Sequence, residues 1–126
     1  MKMNLSVLKG NYGVCRLSPD ESIPSWATAG EFYTLSKTLE ELSITCELSF
    51  IPDGIQVELG WRVMKVEGPL DFALIGILAA LSGTLADRGV SIFAISTFDT
   101  DYLLVKEKDY NNAVEALRDA GHIIIE

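Results

Sequence analysis

Two short runs of this sequence place charge-binding groups at candidate turns. The first is Glu67-Gly68-Pro69-Leu70-Asp71, and the second is Ser96-Thr97-Phe98-Asp99-Thr100-Asp101. The carboxylates of Glu67, Asp99 and Asp101 accept from an ammonium or guanidinium group. Ser96, Thr97 and Thr100 add hydroxyls that both donate and accept, and Phe98 offers an apolar wall. Where Pro69 opens a helix, the unpaired N–H groups of the first turn take a carboxylate. A zwitterionic amino acid carries both charges at short range and suits such a set. The same residues also suit plain structure. Aspartate and threonine are ordinary turn residues, and Asp71 serves the positive end of a helix dipole. On spacing alone both readings stand.

Little else in the chain reads as chemistry. His122 is the only histidine, at the passage from the last helix to the last strand, and is expected to be structural or exposed. It leaves no metal pair and no Cys/His dyad to propose. Cys15 and Cys46 lie 31 residues apart, which is neither a CxxC nor a zinc spacing. They read as small core residues in a reducing compartment, with a disulfide left open. No Walker A pattern and no GxGxxG occurs. Asp99 and Asp101, two apart on a hairpin, can share a cation, yet no base, nucleophile or phosphate loop joins them. The chain therefore reads as a non-enzyme, with no catalytic residue, metal or cofactor assigned.

Composition bounds the remaining classes. A length of 126 residues is about one domain. With 48% hydrophobic and 22% charged residues the chain is globular in composition. A net charge of -8 repels phosphate backbones and anionic lipid, so neither nucleic acid nor a membrane surface is an expected partner. Met1-Lys2-Met3-Asn4-Leu5 shows no signal-peptide pattern, and the expected location is the cytoplasm. From Leu70 to Ala86 the only charge is Asp71, but that run is 17 residues, short of the ~20 that a bilayer needs. It reads as a helix with a crowded environment on nearly all sides. Gly76 and Gly83 within it cost ~1 kcal/mol against alanine, which points to close packing against a sheet or a partner helix. A helix apolar on both sides in so small a protein points to a homo-oligomeric or inter-unit contact.

The elements that must position these groups follow from pattern. The chain divides near Gly60. Trp61 to Val66 reads as a strand rich in β-formers. Pro69 suits the first turn of a helix that runs to about Arg88, with Gly89 as its C′ residue. Val90 to Ser96 is a strand, Thr97 to Asp101 a turn, and Tyr102 to Lys106 the returning strand. Asp109 caps a second helix whose buried stripe is Ala113, Val114, Ala116, Leu117 and Ala120. Gly121 ends it, and His122 to Ile125 is a final strand. Strand, helix, strand, strand, helix, strand is the split βαβ order. It brings the loop at 67–71 and the turn at 97–101 to one end of the sheet. The first part is less regular. Leu5–Leu8, Val14–Leu17, Phe32–Leu35 and Ser43–Cys46 read as strands. Pro24-Ser25-Trp26 begins one helical turn, and Thr38 to Glu41 fits a capping box on a very short helix.

These residues carry a resemblance. Lys65-Val66-Glu67-Gly68-Pro69-Leu70-Asp71-Phe72 with Gly76-Ile77-Leu78-Ala79 looks like the opening of an ACT domain. Gly89 to Val105, with its Ser-Thr-Phe-Asp-Thr-Asp run, is similar to the tandem-ACT branch that includes CASTOR-type arginine sensors. Tyr12 to Leu17 and Gly60-Trp61-Arg62 resemble the same branch. The resemblance implies an α+β fold of ferredoxin-like βαββαβ (ACT) units, antiparallel sheets with helices on one face. It implies a divergent unit with short helices at 1–60 and an ACT unit at 61–126. It also implies a non-catalytic regulator that binds an amino acid at an interface between units or subunits. The implied ligand-binding residues are Glu67, Gly68, Leu70, Ser96, Thr97, Phe98 and Asp101. The implied partners are a small-molecule ligand, a second copy in a homodimer and a regulated protein. The alternative expectation is a ligand-free protein–protein interaction module.

Overall fold

The computed structural model describes residues 2–68 and 76–126. Their order is β1 (Asn4–Val7), β2 (Tyr12–Leu17), β3 (Thr34–Lys37), β4 (Leu42–Glu47), β5 (Gln56–Val66), α1 (Ile77–Asp87), β6 (Ile92–Ser96), β7 (Asp101–Lys106), α2 (Tyr110–Asp119) and β8 (Ile123–Ile125). Contacts divide the chain into two units, Gly10–Trp61, and Met1–Lys9 together with Arg62–Glu126. The division falls within β5, one residue beyond Gly60, and joins the first nine residues to the C-terminal part.

In the C-terminal unit, β6 pairs antiparallel with β7, β7 lies beside β5, and β1 pairs antiparallel with β5. Side chains alternate across each strand. Leu5, Met64, Val66, Leu103, Val105 and Ile124 turn to one face, and α1 and α2 pack there to close a core of fifteen buried residues. α1 contributes Ile77, Leu81 and Leu85 at four-residue spacing. Both helices end as read from the sequence. Gly89 and Gly121 have φ of 73° and 98°, the left-handed conformation that glycine takes without a Cβ clash. The paired bonds Val90 N–H to Leu85 C=O and Gly89 N–H to Ala86 C=O, 3.0 Å each, close α1 in a Schellman motif.

Four expectations for this unit are corrected. The strand beside β5 is β1, while β8 lies outside it and runs parallel to it, with Leu5 opposite Ile124. β1 brings the wholly buried Leu5 into the centre of the sheet, whereas β8 spans three residues with only Ile124 buried. Against the described residues of this chain α1 is covered on one side only, because Ala79, Ala80, Gly83 and Ala86 are exposed. Gly76 is its N-cap and does not lie mid-helix. Ala120, expected in the α2 stripe, is exposed at the C-cap. The expected helix start at Pro69 and Asp71 lies outside the described residues.

In the Gly10–Trp61 unit the strand order is β3-β4-β2-β5. Cys15 stands opposite Ile44 on β4 and Val57 on β5. This is the split βαβ order, but each crossover helix has shrunk to a 3₁₀ turn, Ser25–Thr28 and Leu48–Phe50. The buried core is Cys15, Leu17, Ala27, Leu42, Ile44 and Cys46. The short helix expected at Thr38–Glu41 does not form. Instead the Thr38 hydroxyl accepts from the Glu40 and Glu41 N–H groups at 3.1 Å each, and Thr38 N–H donates to the Glu41 carbonyl at 2.9 Å. A capping-box threonine thus closes the β3–β4 hairpin, because the same hydroxyl that caps a helix also closes a turn.

Candidate ligand site

β5 ends at Val66, and two neighbouring elements hold its end. On one side Glu67 N–H donates to the Asn4 carbonyl at 2.7 Å, extending the β1 pairing. The Ser6 hydroxyl donates to the Glu67 carboxylate, and Lys65 Nζ lies 3.8 Å from that carboxylate. Both members of this ion pair are more than a third exposed, so it adds little to stability. On the other side, the buried Thr100 donates its hydroxyl to the Val66 carbonyl. The loop after β5 and the β6–β7 turn therefore meet at one end of the sheet.

The turn itself is closed by its threonines. Thr97 N–H donates to the Thr100 carbonyl at 2.8 Å, and the Thr97 hydroxyl donates to the same carbonyl at 3.1 Å. Thr100 N–H donates back to the Thr97 hydroxyl at 3.3 Å. Ser96 and Asp101, opposite each other across β6 and β7, are joined by a hydroxyl-to-carboxylate bond of 2.6 Å. Phe98 is 81% exposed, and Asp99 beside it is exposed too.

Of the expected residues, Glu67 and Gly68 follow the end of β5, and Ser96, Thr97, Phe98 and Asp101 form or flank the β6–β7 turn, which Thr100 ties to the last residue of β5. Leu70, with the helix-start N–H groups expected to take a carboxylate, lies outside the described residues. The Thr97 hydroxyl and the Ser96 proton are spent within the turn, which leaves the carboxylates of Asp99 and Asp101 as its charged acceptors. Charge-assisted donors such as ammonium and guanidinium complement carboxylates in that arrangement. Sequence reasoning missed Ser6, which reaches Glu67 across 61 positions, and no pattern in the sequence points to it. Thr100 was counted among the hydroxyls offered to a ligand, whereas the structure turns its hydroxyl inward.

The other candidates carry no chemistry. His122 is buried, and its Nδ1 accepts from Met3 N–H at 3.0 Å. Burial holds its pKa below the usual value, so it is a neutral structural acceptor. Cys15 and Cys46 are free and buried. Burial first, then the neighbouring Cys15, pushes the Cys46 thiol up to about 11, far from a reactive thiolate. An open hollow of about 450 Å³ is lined by Pro19, Asp20, Lys37, Thr38 and Leu39, but the Lys37 ammonium is engaged by the Pro19 carbonyl. Among the described residues no three His, Cys, Asp or Glu side chains gather to hold a metal ion. No helix among them is long and apolar enough to cross a membrane.

Comparison with known proteins agrees with this architecture. Residues 56–119 match the ACT domain family, and residues 10–54 match a family described as an N-terminal domain. The human cytosolic arginine sensor for mTORC1 subunit 1 is 39% identical over 59 residues. That match covers 46% of this chain and 18% of the human protein, so this chain spans less than a fifth of that relative's length. The crystal structure of an Agobacterium tumefaciens protein superposes with a TM-score of 0.93 at 39% identity, over 99% of this chain and 93% of that one. Aspartate kinase of Clostridium acetobutylicum, an allosteric enzyme, shares the fold at a TM-score of 0.73 and 16% identity, over 94% of this chain and 34% of the kinase. With its ACT match covering half of the sequence and a full-length relative at 39% identity, the chain belongs to the ACT-domain family.

Proposed function

We propose that this protein is a non-catalytic, cytoplasmic ACT regulator that binds an amino acid at the end of the sheet formed by Glu67, Gly68, Leu70, Ser96, Thr97, Phe98 and Asp101. The observation that carries this reading is the Thr100–Val66 hydrogen bond, which gathers the strand-end loop against an exposed, acceptor-rich turn. The name of the human relative, a cytosolic arginine sensor, makes arginine the first ligand to test and supports the cytoplasm as the compartment. The strand order of Gly10–Trp61 supports reading it as a divergent ACT-like unit, the first of a tandem pair. In this reading the ligand lies where units or subunits of a homodimer meet, and its binding is passed to a regulated protein.

A second reading has its own observation. The Ser96 hydroxyl is bonded to Asp101 and the Thr97 hydroxyl to Thr100, so part of the site is complete without a ligand. That favours a ligand-free interaction module. A thermal-shift screen against the common amino acids separates the two. A ligand at 100 times its Kd adds about 2.7 kcal/mol if it binds only the folded state, which is a shift of several degrees for a chain this size. A shift with one amino acid, reduced in Asp101→Ala, supports the sensor. No shift with any of them supports the interaction module.

A further inference from the structure

We infer that Thr100 is a positioning residue that fixes the strand-end loop to the hairpin turn, with Ser6 bracing the same loop from the N-terminal strand. The inference rests on the amino-acid-site reading above, and extends it to two residues that lie outside the seven assigned there.

Three features single out Thr100. It is 5% exposed in a turn whose other members, Thr97, Phe98 and Asp99, are exposed. Its hydroxyl crosses 34 positions to reach the last carbonyl of β5. Its own N–H and carbonyl are both tied to Thr97. The buried hydroxyl thus adds a side-chain tie between the turn and the end of β5, beside the pairing of β7 with β5. On the opposite side of the loop, Ser6 and the Asn4 carbonyl hold the Glu67 carboxylate and N–H. Val66 and Glu67 are therefore clamped between two elements far apart in sequence. A ligand that touches both Glu67 and the 96–101 turn needs their separation fixed in advance, and such preorganisation converts directly into affinity.

Thr100→Val keeps the shape and removes the side-chain donor from which the Val66 carbonyl accepts. Thr100→Ser keeps the hydroxyl. The experiment measures amino-acid affinity by titration calorimetry and amide exchange by mass spectrometry, at a temperature where every variant is fully folded. The expected result is about tenfold weaker binding in Thr100→Val, a smaller loss in Ser6→Ala, and near wild-type affinity in Thr100→Ser. Exchange in Thr100→Val should rise at both 66–68 and 97–101 while the helices stay protected. If affinity and exchange in Thr100→Val match wild type, the inference is overturned. If the wild type binds no amino acid, the functional reading fails by itself. Exchange then decides the clamp: coupled loosening of the two segments upholds it, and loosening of neither or of one alone overturns it.

Discussion

The two units of this chain share the strand–crossover–strand–strand–crossover–strand succession, with β1 inserted between β5 and β8 in one of them, and close their sheets differently. Around β5, β7 and β1 the sheet is covered by two α-helices of 11 and 10 residues, and fifteen residues are buried between them. In Gly10–Trp61 the same two crossovers are 3₁₀ turns of four and three residues, and the core cluster holds six buried residues. Charge is divided unevenly too. Gly10–Trp61 carries eight carboxylates against two cations, and the rest of the chain ten against eight. The contrast teaches that strand order survives without its helices, while the depth of the core does not. A thin core removes less apolar surface from water and leaves less free energy against opening.

The largest expected effect tests that difference in depth. Leu81→Ala, at a wholly buried position of α1, should cost about 3–4 kcal/mol, within the range for leucine truncation in a core that cannot collapse. Leu42→Ala, as deeply buried in β4, should cost about 2 kcal/mol, because thin walls relax into the space. Urea unfolding followed by circular dichroism for the first variant and by tryptophan fluorescence for the second measures both. Equal costs would break the comparison.

A smaller effect concerns the order of opening. Both α-helices among the described residues lie in the C-terminal unit, whereas both cysteines lie in the core of Gly10–Trp61. Burial raises both thiol pKa values, that of Cys46 to about 11. The folded thiols therefore stay protonated and covered at neutral pH, and that of Cys46 remains so even at about pH 9, where an exposed cysteine is mostly thiolate. Labelling then reports opening of this unit. The expected result is labelling at urea concentrations where helix ellipticity is still intact, with opening easier than global unfolding by about 1–2 kcal/mol. Labelling that tracks loss of ellipticity at every concentration would make the two units one cooperative body.

The same contrast explains what was legible in the sequence. α2 carries its apolar stripe at helical spacing, and Gly89 and Gly121 mark helix ends, because each signal lies within a few residues of the structure it causes. The Ser96–Asp101 hairpin was legible for the same reason. β1 was read as a strand but not as the neighbour of β5, since nothing within Asn4–Val7 states which strand it joins. The first half of β5 was missed because Gln56, Glu58 and the exposed Leu59 break the alternation of a buried strand. Thr38 was misread because its hydroxyl serves a helix cap and a hairpin turn equally. In the candidate site the carboxylates were legible by type. The hydroxyls that hold the loop, on Ser6 and Thr100, depend on contacts 61 and 34 positions away, and only the fold supplies those.

The smallest expected effect returns to Gly83, a glycine inside α1 that on sequence grounds suggested close packing. A Cβ built there meets no heavy atom within 4 Å, and the residue is exposed beside Ala79, Ala80 and Ala86. Nothing among the described residues therefore needs the glycine, and there its backbone entropy is an uncompensated cost. Gly83→Ala should stabilise the protein by about 0.5–1 kcal/mol, read as a raised urea midpoint with unchanged slope. If a second copy packed backbone to backbone on this face, the added methyl would instead weaken self-association. Sedimentation equilibrium on the same variant separates the cases. Raised stability with an unchanged association constant leaves this face to solvent. A loss of association would mean that α1 meets another helix there, and that its small residues are the unit's second packing surface.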